Sequence, residues 1–130
     1  MRSETVTAVV DAPARDVYEY LSNVENLPRW ATEFARELTW RDGEAVVRNG
    51  LGEFVFRIEA DPETGVIDML AGPTSEKLAI FPTRVVELTR DKTAFSFTMF
   101  QQPGMADELF ESQHASLQRE FENIRARFRG

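Results

Sequence analysis

The sequence predicts an α+β fold, in which one antiparallel sheet of about seven strands wraps around a long C-terminal helix and two short helices follow the first strand. Three observations carry this. A threonine- and valine-rich opening gives way at once to helical spacing. From about Glu33 to Phe100 apolar residues recur at period two between regularly spaced turn signals. Finally, "MADELFESQHASLQREFENIRARF" sets Phe110, His114, Leu117, Phe121, Ile124 and Phe128 at steps of three or four, one stripe on a helix of about six turns.

The elements follow in order. "SETVTAVV" (3–10) is strand-forming in composition. In "DAPARDVYEYLSN", Asp11 is placed to cap, Pro13 suits a first helical turn, and Val17, Tyr18 and Leu21 fall at helical spacing. "VENLPRWATEF" fits a second short helix, with Asn23 as its cap and Pro28 limiting its length or sitting in its first turn. The turns "RDGE", "RNGLGE", "DPETG", "AGPT", "TRDKT" and "QQPGM" then separate "FARELTW", "AVVRN", "FVFRIEA", "VIDML", a long "SEKLAIFPTRVVELT" and "AFSFTMF". Phe54, Phe56 and Ile58 alternate with charged residues, and Phe95, Phe97 and Met99 form a second apolar row. Pro82 predicts a bulge or break within the long strand. Such a sheet exposes more apolar surface than two short helices cover, so the terminal helix must cover it. A twisted sheet around one helix need not close along its whole length, and the gap would be a pocket.

Composition narrows the function. The 130 residues suit a single domain, 1–130, and 42% hydrophobic with 28% charged residues is a globular mixture. No cysteine is present, which removes disulfides, thiolate catalysis and cysteine-bound metal and suits a cytoplasmic location. The net charge of -7 argues against nucleic acid and anionic membrane surfaces as partners. No signal-peptide core opens the chain, and no run approaches the roughly 18 apolar residues of a membrane span. No glycine-rich loop precedes a helix, so no phosphate cradle and no cofactor is expected.

The opening "VVDAPARDVYEYLSNVENLPRWA", followed by hairpins and one long helix, resembles the START-like, or SRPBCC, superfamily, in its polyketide cyclase/dehydrase and lipid-transport branch. Ala12, Pro13, Val17, Leu21, Leu27 and Trp30 carry the motif, which spans residues 9–31; the order of elements matches over the whole chain. The resemblance implies a helix-grip fold with a cavity between sheet and helix. It also implies binding of lipids, sterols, polyketides or other apolar molecules, with cyclisation or dehydration in a minority of members.

His114 is the single histidine. Two readings stand: a core histidine with a satisfied hydrogen bond, or a pocket residue that orients a ligand oxygen or moves a proton. Ser112 and Ser116, two residues away on other helix faces, are poor triad partners. A histidine-rich metal site is excluded by count, and no metal is expected. Arg84 enters the cavity if Leu78, Ile80, Arg84, Val86 and Leu88 face inward, and turns to solvent if Ala79, Phe81, Thr83 and Val85 do; interior arginines of aromatase/cyclases make it a second candidate by resemblance. Asp68 is read as a solvent-face residue, Trp30 as closing one end of the core, and Trp40 as lining the cavity mouth. The "AGPTSEK" loop is an ordinary connection or a lid.

The expected function is binding, or transport, of a small hydrophobic or aromatic ligand such as a lipid or polyketide-like molecule, by a monomer or homodimer with no membrane insertion. Trp40, Phe54, Phe56, Phe95, Phe97, Met99, Phe110, Leu117 and Phe121 would form the wall and His114 the polar handle. The alternatives are an aromatase/cyclase-like enzyme, with proton transfer by His114 and oxyanion stabilisation by Arg84, and an interaction module whose core is filled.

Overall fold

In β1 (Ser3–Val10) Val6, Ala8 and Val10 turn inward and Thr5, Thr7 and Val9 outward, the alternation of a half-buried strand. The structure, a computed structural model, describes residues 1–129. Helix α1 (Ala14–Ser22) buries Val17, Tyr20 and Leu21. Pro13 stands at its N-cap with no side-chain capping bond. Asp11 does not cap it; the carboxylate pairs with Lys92 at 2.5 Å instead. A 3₁₀ turn (Val24–Asn26) follows, capped by Asn23, whose Oδ1 accepts from the Glu25 N–H. Helix α2 (Leu27–Trp30) has Pro28 in its first turn and buries Leu27 and Trp30.

The second helix therefore stops at Trp30, short of the expected Phe34, and β2 (Glu37–Arg41) starts later than Glu33. Residues 31–36 form an irregular strap between them. Its backbone cannot join the ladder, because the N–H groups of Glu33 and Phe34 are held by a side chain of the terminal helix.

The remaining strands are β3 (Glu44–Asn49), β4 (Gly52–Asp61), β5 (Val66–Gly72), β6 (Ala79–Phe81), β7 (Thr83–Thr89) and β8 (Lys92–Phe100), and α3 (Asp107–Arg127) closes the chain. The curved sheet runs β1-β8-β7-β5-β4-β3-β2, every pair antiparallel, with β6 added on β5. Eight strands replace the expected seven because Pro82, which has no N–H to give, divides the long strand into β6 and β7. Asp42 and Gly43 both have positive φ, 53° and 80°, the geometry of a type I′ hairpin turn. Gly65 is required twice over: its φ is +77°, and a Cβ there would lie 2.2 Å from the Val85 carbonyl oxygen.

Helix α3 packs its apolar stripe on the concave face. The Phe95 and Phe121 rings lie 4.6 Å apart between centroids, and Phe110, Phe121 and Ile124 are wholly buried. At the far end Phe128 meets Tyr20 edge to face at 5.5 Å, tying α3 to α1.

Candidate functional site

Sheet and helix do not close on each other everywhere. A cavity of about 470 Å³ remains between them. Phe56, Met69, Ala71, Phe81, Phe97 and Met99 supply an apolar wall from the sheet. Leu27, Trp30 and Ala31 close one end, and the strap adds Glu33, Phe34 and Arg36. The tip of the β3–β4 hairpin contributes Asn49, Gly50 and Leu51. Leu51, 63% exposed, stands at the rim with the exposed Arg36.

The α3 wall is Leu109, Ser112, Gln113, Ser116, Leu117 and Glu120. Leu117 belongs to the apolar stripe, while the others, also spaced by three and four, lie on a neighbouring face. At about 100° per residue, Leu117 lies close to the direction of Phe110, whereas Ser112, Gln113, Ser116 and Glu120 lie to one side of it. His114 lies about 40° to the other side.

That angle explains where His114 goes. Its ring does not enter the cavity; it faces β1, with Nε2 3.9 Å from a Glu4 carboxylate oxygen, in a polar groove with Thr5, Thr7, Gln118, Glu122 and Arg125. Arg84 is exposed as well. Thr83 and Val85 are the buried residues of β7, and Phe81 stacks on Phe97 at 5.6 Å, so the odd-numbered face points inward. Pro82 interrupts the strand without changing this alternation. Asp68 lies between the buried Ile67 and Met69 and points to the outer face.

Of the expected wall, Phe56, Phe97, Met99 and Leu117 line the cavity. Phe95, Phe110 and Phe121 do not: they are packed out of reach in the solid part of the core, with the Arg2 guanidinium 5.0 Å over the Phe110 ring. Phe54 is not a lining residue; its ring lies 6.3 Å from that of Phe34, which is. Trp40 is 54% exposed and donates its indole N–H to Glu25 at 3.0 Å, so it does not line the mouth. The 72–78 loop is not part of the cavity wall either. It turns so tightly that a Cβ on Gly72 would lie 1.8 Å from the Lys77 carbonyl oxygen.

The residue that composition and pattern missed is Glu120, 4% exposed. Its Oε2 accepts the backbone N–H of both Glu33 and Phe34 at 3.0 Å. Burial pushes the carboxyl up to about 7, against the opposing pull of those two N–H groups. Around it the strap is fastened to α3. Arg119 gives Glu33 two hydrogen bonds of 2.9 and 2.7 Å, Ser116 a third of 2.8 Å, and Asn123 donates to the Trp30 carbonyl at 3.0 Å. The Arg119 hydrogen bond, helped by that of Ser116, holds the Glu33 carboxyl below its usual range. From the hairpin, Asn49 donates to the Phe34 carbonyl at 2.8 Å. The signal in the sequence was present: Ser112, Gln113, Ser116 and Glu120 form a polar stripe beside the apolar one, and such a stripe reads as solvent face unless a strap covers it.

Among the described residues, no three His, Asp or Glu side chains gather to hold a metal ion, and no helix is long and apolar enough to cross a membrane. The sequence matches, over residues 1–129, the family described as polyketide cyclase/dehydrase and lipid transport. No curated protein matches it. Among solved structures it is similar to the protein XoxI from Bacillus cereus (TM-score 0.77, 13% identity, covering 98% of this chain and 96% of that one). A START superfamily protein from Mycobacterium smegmatis aligns with a TM-score of 0.70 at 14% identity, covering 97% and 96%. The Zhui aromatase/cyclase from Streptomyces sp. R1128 aligns at 0.68 and 18%, covering 96% and 89%. At these identities the likeness is one of fold.

Proposed function

The chain belongs to the polyketide cyclase/dehydrase and lipid transport family, and from that premise we propose that it binds a small apolar or aromatic molecule between α3 and the sheet. The observation that carries the reading is the cavity of about 470 Å³, with phenylalanine and methionine on its sheet side and a rim open past Arg36 and Leu51. Affinity would come from burying ligand area against Phe56, Met69, Phe81, Phe97 and Met99, at roughly 25 cal/mol per Å² before the costs of association. Orientation would come from the few polar groups of the α3 wall.

Native mass spectrometry of the purified protein, beside the same sample denatured, tests this. The expected result is a bound apolar mass that is released on denaturation and lost in Leu117→Trp, whose indole fills the space. An apo mass, together with no binding from a broad panel of hydrophobic probes, would overturn it.

A second reading, a cyclase or dehydratase, is favoured by one observation: Glu120 lines the cavity with a carboxyl near 7, the range in which a group both gives and takes protons at neutral pH. His114 and Arg84 have no part in either reading, since both lie outside the cavity. Turnover of a bound polyketone that disappears in Glu120→Gln, with binding retained, would establish the enzyme.

A further inference from the structure

The cavity is apolar on one wall and polar on the other, and the polar wall contains a charged group that is only half used. Glu120 spends Oε2 on the strap. Oε1 has no hydrogen-bond partner among the described residues, yet no buried side-chain oxygen is left sealed without one. Oε1 therefore keeps an accessible surface, and since Glu120 is 4% exposed and lines the cavity, that surface is the cavity's. Two backbone N–H groups hold the other oxygen in place, and in the ionised form the free oxygen offers acceptor lone pairs only.

We propose that the ligand is an uncharged apolar molecule carrying a hydroxyl group, and that the hydroxyl donates to Glu120 Oε1. This rests on the cavity being the binding site, as argued above. Nearby charge points the same way. Glu33 is the other carboxylate of the wall, and its counter-ion Arg119 is committed to it by two hydrogen bonds. The sheet wall opposite brings no cation. Arg36 is the remaining charged residue of the wall, and it is exposed at the rim. A carboxylate ligand seated deep in the cavity would face Glu120 and Glu33 with no free cation beside it. A methyl ether would leave Oε1 unpaired, with its solvating water displaced. Fatty acids and other anionic lipids are disfavoured on the same ground.

Three probes of one shape separate these cases: 2-naphthol, 2-methoxynaphthalene and 2-naphthoate, titrated near pH 8 with affinity read by calorimetry. The expected order places naphthol at least about tenfold tighter than the other two, as for a hydrogen bond to a charged group. In Glu120→Gln the amide oxygen keeps the strap's N–H groups and turns an NH₂ donor into the cavity, so the preference for naphthol is expected to vanish and naphthoate to gain. Leu117→Trp is expected to abolish binding of all three. Equal binding of the three probes, abolished by Leu117→Trp, would overturn the role of Glu120 and leave the cavity reading intact. Binding of none would overturn the cavity reading and this inference with it. The comparison of probes in the unmodified protein decides even if a variant fails to fold.

Discussion

Glu120 couples the cavity to pH. The carboxyl ionises near 4.5 when solvated and near 7 in the fold. Below pH 4.5 both states hold the proton, and the pKa shift takes nothing from stability. As pH rises from there the unfolded chain releases the proton first, so the folded state loses stability progressively, up to ~3 kcal/mol once the pH exceeds 7. Glu33 has the opposite sign: its carboxyl is lowered, and the stability it adds is lost only as pH falls below the usual carboxylate range. The window from pH 5 to 8 thus isolates Glu120. The melting temperature of Glu120→Gln, relative to the unmodified protein, is expected to be several degrees higher at pH 8 than at pH 5. An equal difference at both pH values, measured by circular dichroism melts, would mean that the buried carboxyl is not the titrating group.

At the level of elements, the strap of residues 31–36 has one internal backbone bond, Ala35 N–H to the Ala31 carbonyl at 2.7 Å, and is otherwise held by side chains from two directions. Glu120→Ala removes the only acceptor that two backbone N–H groups have among the described residues. Hydrogen exchange read by NMR is expected to show protection of the Glu33 and Phe34 amides falling at least about tenfold, while the β8 amides keep theirs. Unchanged exchange at Glu33 and Phe34 would show that the strap is ordered independently of α3. The strap also marks where the sequence stops being legible. Strands, hairpin turns and the long helix follow from period, turn residues and length, so the "RDGE" turn and the break at Pro82 are readable from local chemistry alone. Which face of β7 turns inward is not: both faces of "LAIFPTRVVEL" carry apolar residues, and packing of Phe81 on Phe97 decides it. His114 fails for a related reason, because a step of four in a 3.6-residue helix puts it on the flank of its stripe, and the sheet edge happens to lie there.

For the molecule as a whole, the cavity is a gap beside the solid core, and Phe97, Met99 and Leu117 face both. Phe121 belongs to the solid part, against Phe95 and Phe97, and Phe121→Ala is expected to cost about 3–5 kcal/mol in denaturant unfolding. Ser112 is exposed at the cavity wall with no side-chain hydrogen bond among the described residues, and Ser112→Ala is expected to stay within about 0.5 kcal/mol of the unmodified protein. Comparable losses at both positions would mean that the helix packs as one surface. The two stripes of α3 have a consequence for descent with modification. One helix carries the residues that keep the fold standing on one side and those that line the cavity on the next, so Ser112, Gln113 or Leu109 can be exchanged, and the cavity reshaped, without endangering the scaffold. Glu120 serves both ends, holding the strap and lining the cavity. Any exchange there would loosen the strap as well as reshape the cavity.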